Sequence, residues 1–220
     1  MTDTDTAIAA AGQTDSGQKR YGMLIDLSLC VGCSACAVAC KIENAVPVTC
    51  FNTWVESWDS GEYPKTTRAN VPKLCNHCAD APCITVCPTG ATFVEEGGAV
   101  VIDRQECIGC GSCVQACPYG ARYLDAEAGR AGKCTYCFHR ASQGMLPACV
   151  GTCITQARIF GDTNDPESDI SRILADADAE ALRAELGLDT ATRYLGLSET
   201  LLAEQSSTVS RGGNKREPSR

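Results

Sequence analysis

The chain is 220 residues long, carries 17 cysteines against 5% aromatic residues, and has a formal net charge of -8. That charge argues against a nucleic-acid partner, which must be held through its phosphates by a basic surface, and no run of about 18 apolar residues is present to cross a bilayer. Cysteine stands close to the roughly 8–10% level at which it organises a fold, and aromatic side chains are too few to do so.

Residues 1–18 are polar and small and read as a disordered tail. Lys19-Arg20 is a mixed pair followed by Tyr21-Gly22, with no basic or apolar leader before it, so no export signal is expected. Residues 21–27 read as a strand entering the first cysteine group, Cys30, Cys33, Cys36 and Cys40, spaced CxxCxxCxxxC. The connector 47–72 holds Trp54, Trp58, Tyr63 and Pro64 but no cysteine motif. It is too long for a turn and reads equally as a partner-facing insert or as two strands packing locally.

The second group, Cys75, Cys78, Cys83 and Cys87, is followed by Pro88, and the third, Cys107, Cys110, Cys113 and Cys117, by Pro118. Both continue as CPxGA, so a repeat is present, clearest in its ligand spacing. Between them, 92–96 and 99–103 flank Gly97-Gly98, a hairpin signal because a tight turn needs positive φ. The fourth group opens as CxxC at Cys134 and Cys137 and resumes as CxxxC at Cys149 and Cys153. Asp165-Pro166-Glu167 reads as an N-cap with proline at N1, leading a helix with Ile170, Ile173, Leu174 and Ala177 inward. A second helical piece carries Leu182 and Leu186 and stops at Gly187, and 205–220 reads as a disordered tail.

Sixteen of the seventeen cysteines therefore fall into four quartets, leaving Cys50 as a plain thiol. Three thiols within seven residues can wrap a cubane of iron and sulfide, and the fourth leads away to a neighbouring cluster, as in two-cluster bacterial ferredoxins. Four quartets make four clusters, all expected to be 4Fe-4S. Gly32, Gly109, Gly111, Ser34 and Ala35 suit a backbone lying close against sulfide. Zinc has no use for a third cysteine two residues on, and an odd count of closely spaced thiols does not suit disulfides.

Nesting sets the pairing. The hairpin joins the second and third groups into an inner module, with Cys75, Cys78, Cys83 and Cys117 on one cluster and Cys107, Cys110, Cys113 and Cys87 on the other. The outer groups then close around it, with Cys30, Cys33, Cys36 and Cys153 on a third cluster and Cys134, Cys137, Cys149 and Cys40 on the last. The expected fold is α+β: two pseudo-symmetric bacterial-ferredoxin-like modules, the second and third groups nested inside the first and fourth, with loop inserts and a C-terminal helical extension. Its segments are 1–18 (tail), 19–74 (first group and connector), 75–124 (inner module), 125–163 (fourth group, completing the outer module), 164–204 (helical extension) and 205–220 (tail). Lys41, Lys73, Lys133, Arg122 and Arg140 are candidates to tune cluster potentials, each more readily read as a solvated surface charge. His77 and His139 could tune a cluster, face a partner or simply make structural hydrogen bonds. No nucleophile with its base, carboxylate pair or nucleotide loop occurs, so the chain is not expected to be an enzyme on its own.

Several stretches carry a family resemblance: Tyr21-Gly22-Met23-Leu24-Ile25-Asp26, Pro72-Lys73-Leu74-Cys75-Asn76-His77-Cys78, Lys133-Cys134-Thr135-Tyr136-Cys137 and Ala157-Arg158-Ile159-Phe160-Gly161-Asp162. Over about 19–197 the chain resembles the four-cluster electron-transfer subunit of molybdopterin oxidoreductases, nearest the polysulfide, thiosulfate, tetrathionate and dimethyl-sulfoxide reductase group. The resemblance implies clusters in a line between a molybdenum or tungsten pterin catalytic subunit and a quinone-reactive membrane anchor. It also implies a peripheral place at the membrane through those partners, extracytoplasmic by co-export with the catalytic subunit, with the cytoplasmic face as the alternative. A polyferredoxin, or a related subunit of a hydrogenase or formate-oxidising complex, is the competing expectation. The pattern departs from the family's CP ending at Cys40-Lys41 and Cys153-Ile154.

Overall fold

The computed structural model describes residues 18–197, so both expected terminal tails lie outside the described residues apart from Gln18. In chain order the elements are β1 (Tyr21–Asp26), α1 (Ala35–Glu43), β2 (Thr53–Glu62), β3 (Lys65–Leu74), α2 (Pro82–Thr85), β4 (Thr92–Val94), β5 (Val100–Ile102) and α3 (Ser112–Ala116). There follow β6 (Arg122–Asp125), β7 (Arg130–Lys133), α4 (Phe138–Ala141), α5 (Ala148–Gly151), β8 (Arg158–Asp162), α6 (Asp169–Asp176) and β9 (Thr192–Leu195). Helices are short and strands pair locally, except where β1 draws distant parts of the chain together.

The run Met23-Leu24-Ile25 is apolar without alternation, as suits a strand covered on both faces, and all three side chains are buried. β8 pairs with it antiparallel from Tyr21↔Asp162 to Ile25↔Arg158. β9 pairs with its other edge in parallel, from Met23↔Thr192 to Asp26↔Leu195. The strand before the first cysteine group is thus zipped to the strand after the fourth, and α1 packs on α5 while α2 packs on α3. The helices of the third and first groups differ in length with the residue that follows the last cysteine. Cys117 precedes Pro118 and is extended (ψ 111), ending α3, because the residue before proline is driven out of the helical region. Cys40 precedes Lys41, and α1 runs on to Glu43.

The connector resolves as one antiparallel hairpin, β2 against β3, from Thr53↔Leu74 to Glu62↔Lys65. The hairpin expected around Gly97-Gly98 is present with shorter strands, and a 3-10 turn over Glu96–Gly98 takes up the rest.

The C-terminal extension departs from the all-helical expectation. α6 starts at Asp169 with Ser168 as its cap, the hydroxyl accepting from Ser171 N at 3.2 Å. Asp165 instead closes a turn, its carboxylate accepting from Glu167 N at 2.9 Å. The piece around Leu182 and Leu186 shortens to a 3-10 turn over Ala184–Leu186, capped by Gly187 (φ 62). Beyond it the chain forms strand β9, since β1 offers a free edge whose backbone groups must be paired. The strap 189–195 also grips the second group: Ala79 N donates to Asp189 O (3.0 Å), Ala191 N to Asn76 O (2.9 Å) and Tyr194 Oη to Pro72 O (2.9 Å).

Because β1 joins both ends of the core, Leu24→Ala is expected to cost about 2–5 kcal/mol, seen as a lower urea midpoint for anaerobically purified protein. Val48→Ala, at an 89% exposed position, should stay within about 0.5 kcal/mol of the parent.

Candidate metal centres

Each CxxC loop turns through a left-handed residue at the same place: Gly32 (φ 70), His77 (φ 44), Gly109 (φ 70) and Tyr136 (φ 55). Glycine adopts this freely, whereas a side chain there costs roughly 1–2 kcal/mol. The two non-glycine residues are held by each other, their rings stacked at 3.6 Å between centroids and 20° between planes. His77 Nδ1 accepts from Val100 N at 3.0 Å, and Tyr136 Oη shares a hydrogen bond with Thr192 Oγ1 at 2.7 Å. The second and fourth loops therefore meet through this stack.

The fold carries each group's last cysteine to a different group. Cys87 joins Cys107, Cys110 and Cys113 in the lining of one pocket, where Ala131 N donates to Cys107 Sγ at 3.4 Å. Cys117 lies with Cys75 and Cys83, whose charges add to burial in pushing its thiol up. Burial, then Cys75, Cys117 and Cys83, push Cys78 up to about 12. Cys40 is likewise pushed up to about 12 by burial, then Cys149 and Cys137, and burial chiefly raises Cys134, with Cys40 and Cys149 adding. Cys30 is raised mainly by burial, with Cys36 and Cys153 contributing. At Cys87 burial is outweighed by hydrogen bonds from Thr92 and Thr89, and the thiol falls to about 7. All seventeen thiols are free, and only Cys33 and Cys110 are exposed. Cys50 packs with Val46 and Tyr123, outside the four groups.

Crowded, buried thiols with raised pKa values are unstable as bare thiolates, and coordination to a metal is what deprotonates such sulfurs outright. Among the described residues no three Cys, His, Asp or Glu side chains close on a single ion, whereas tetrahedral zinc would draw its sulfurs to about 4 Å of one another. Donors aimed at the sulfurs suit an anionic guest: Asn44 Nδ2 lies 3.5 Å from Cys40 Sγ and 3.6 Å from Cys137 Sγ. Buried polar atoms without a protein partner sit at the same loops, on Asn76, His77 Nε2, Arg122 Nε and Arg158 Nη1. The donor set and these orphaned atoms fit iron-sulfur clusters.

Three of the five candidate cations have other work. Lys41 Nζ caps the carbonyls of Pro47, Val48 and Cys50, Lys73 pairs with Glu56 at 2.6 Å, and Arg140 pairs with Glu43 at 2.9 Å. His139 joins the same Glu43, so it ties α4 to α1. Arg122 and Lys133 are buried. Arg158, also buried, is not among the candidates, although a signal exists: it stands five residues after Cys153 as Arg122 stands five after Cys117, each preceded by alanine.

A Cβ at Gly109 would lie 2.0 Å from Gly129 O, so Gly109→Ala should distort the third loop. The expected outcome is a loss of about four irons per chain, one cubane, by iron analysis. Gly111→Ala, with nothing within 4 Å of the added carbon, should retain more.

The 4Fe-4S dicluster domain family matches residues 67–163, spanning the second to fourth groups. The chain is 46% identical over 191 residues to the tetrathionate reductase B subunit of Salmonella typhimurium, covering 85% of this chain and 76% of that one. It is 38% identical over 206 residues to the selenate reductase B subunit of Mesobacillus selenatarsenatis (79% and 70% covered). Against the sulfite dehydrogenase B subunit of Allochromatium vinosum it is 37% identical over 203 residues (82% and 85% covered). Similarity of this extent, on a ferredoxin-like arrangement of cysteine loops, places the chain in the family of iron-sulfur B subunits of the molybdopterin oxidoreductases, which transfer electrons rather than catalyse.

Proposed function

We propose that the chain holds four 4Fe-4S clusters and relays single electrons between a quinone-reactive membrane subunit and a molybdopterin catalytic subunit. The observation that carries this is the exchange of last cysteines: four complete quartets, each assembled from two groups, with Cys87 closing a cavity otherwise lined by the third group's cysteines. When bound, such clusters supply one-electron chemistry. The chain's own part is to exclude water, donate N–H groups to sulfur and keep neighbouring sites close. The two modules are a nested pseudo-symmetric pair, and the sites follow one another as third, second, fourth and first group, with the His77–Tyr136 stack at the crossing between modules.

Exposure supports two ports. Cys33 and Cys110 belong to the sites at opposite ends of that order, beside exposed Val31 and Ile154 at one end and Ile108 at the other. Among the described residues no helix is long and apolar enough to cross a membrane, so attachment would run through partners. We place the complex outside the cytoplasm, by co-export of this chain with the catalytic subunit; a protease that reaches the tagged chain in intact spheroplasts would support this, and full protection would overturn it.

Anaerobic purification of the tagged chain should yield about sixteen irons with matching sulfide and bring down a large pterin-binding chain. Far fewer irons after reconstitution, or recovery of the chain alone, would overturn the reading. The exchange has its own test. Replacing Cys75, Cys78 and Cys83 with serine should remove about four irons; adding Cys117→Ser should remove no more, whereas adding Cys87→Ser should remove about four more.

A further inference from the structure

Three basic side chains lie inside the cysteine-bearing core: Arg122, Lys133 and Arg158, at 2%, 4% and 3% exposure. None forms an ion pair with Asp or Glu among the described residues; their hydrogen bonds go to sulfur, hydroxyl and carbonyl groups. A buried cation without an anion is strongly unfavourable, so each must answer negative charge of another kind.

Their placement is regular. Arg122 donates Nη2 to Cys83 Sγ at 3.0 Å and lies close enough to Cys113 to interact with its charge; these are the third cysteines of the second and third groups. Arg158 donates Nη2 to Cys36 Sγ at 3.5 Å and lies close enough to Cys149 to interact with its charge; these are the third cysteines of the first and fourth groups. Each is steadied by a threonine, Thr92 at 3.2 Å and Thr53 at 2.9 Å, and each keeps one nitrogen without a protein partner. Lys133 Nζ is held by the carbonyls of Val100 and Cys134. Its charge reaches Cys83 of the second group and Cys134 of the fourth.

We infer that Arg122, Lys133 and Arg158 are fixed countercharges interleaved with the clusters, one in each gap between neighbours. Arg122 serves the third- and second-group sites, Lys133 the second- and fourth-group sites, and Arg158 the fourth- and first-group sites. This rests on the four-cluster reading. A thiolate-ligated cubane is anionic and gains a further negative charge on accepting an electron, so neighbours in a buried medium oppose each other's reduction. A cation between two of them favours the reduced form of both and so offsets that opposition. Arginine never deprotonates in proteins, so in two of the three gaps the charge is independent of pH.

The test is potentiometric titration of the full chain followed by EPR, with iron analysis on the same samples. Arg122→Gln should lower two of the four midpoints and Arg158→Gln the other two, each by at least tenfold in the reduction equilibrium, about 59 mV for one electron. Lys133→Met should lower one midpoint from each pair. Arg122→Lys and Arg158→Lys, which keep the charge, should recover most of the change. Unmoved midpoints, equal falls in all four, or no recovery with lysine would overturn the inference. Should a glutamine variant shed iron, its lysine counterpart decides: full iron with near-native midpoints sustains the countercharge, and loss of iron there too overturns it. A parent protein short of about sixteen irons would instead overturn the four-cluster reading itself.

Discussion

The arrangement turns on one constraint: the last cysteine of every group lies with the cysteines of another. Cys117 is carried back to Cys75 and Cys83, and Cys153 to Cys30 and Cys36, so each site closes only when segments far apart in the chain meet. The long-range zip of β1 to β8 is what this demands, because it brings the strand before the first group against the strand after the fourth. With so few aromatic residues, the sheet β8-β1-β9 and the small cluster around Tyr136 and Tyr194 are the main apolar body. The other described residues form three two-stranded hairpins, short helices and the loops that carry the cysteines.

Electrostatics obey the same crowding. Burial and neighbouring thiols raise Cys40 and Cys78 to about 12, which describes sulfurs meant to be held by metal rather than left to titrate. Around them the protein places donors without acids. Burial opposes the charge on Arg122 and Arg158, yet thiolates outweigh it and push both pKa values up. Carboxylates pair with other cations: Glu43 gathers Arg140 and His139, and Glu56 takes Lys73.

Family membership with reductases of tetrathionate and selenate and with a sulfite dehydrogenase agrees with this division of labour. Relatives named for reductases and for a dehydrogenase share this kind of iron-sulfur subunit. What this chain contributes is electron transfer rather than catalysis.

Much of this was legible in the residues alone. Cysteine spacing is a local property, so the four groups, the Gly97-Gly98 hairpin and the strand at 21–26 could be read directly, and Cys50 could be set apart. In the C-terminal extension Asp165-Pro166 and the apolar spacing of Leu182 and Leu186 satisfy helix rules locally, although the structure forms α6, a 3-10 turn and β9 there. Only the edge of β1, invisible in one dimension, makes 192–195 a strand. The same limit hid Arg158: its repeat position was in the sequence, but its lack of a carboxylate partner is a fact of packing. Residue types and intervals along the chain determined what is bound; which distant segments share a site, and which cations are sealed between them, was decided by the tertiary structure, because burial and pairing depend on neighbours that sequence distance does not record.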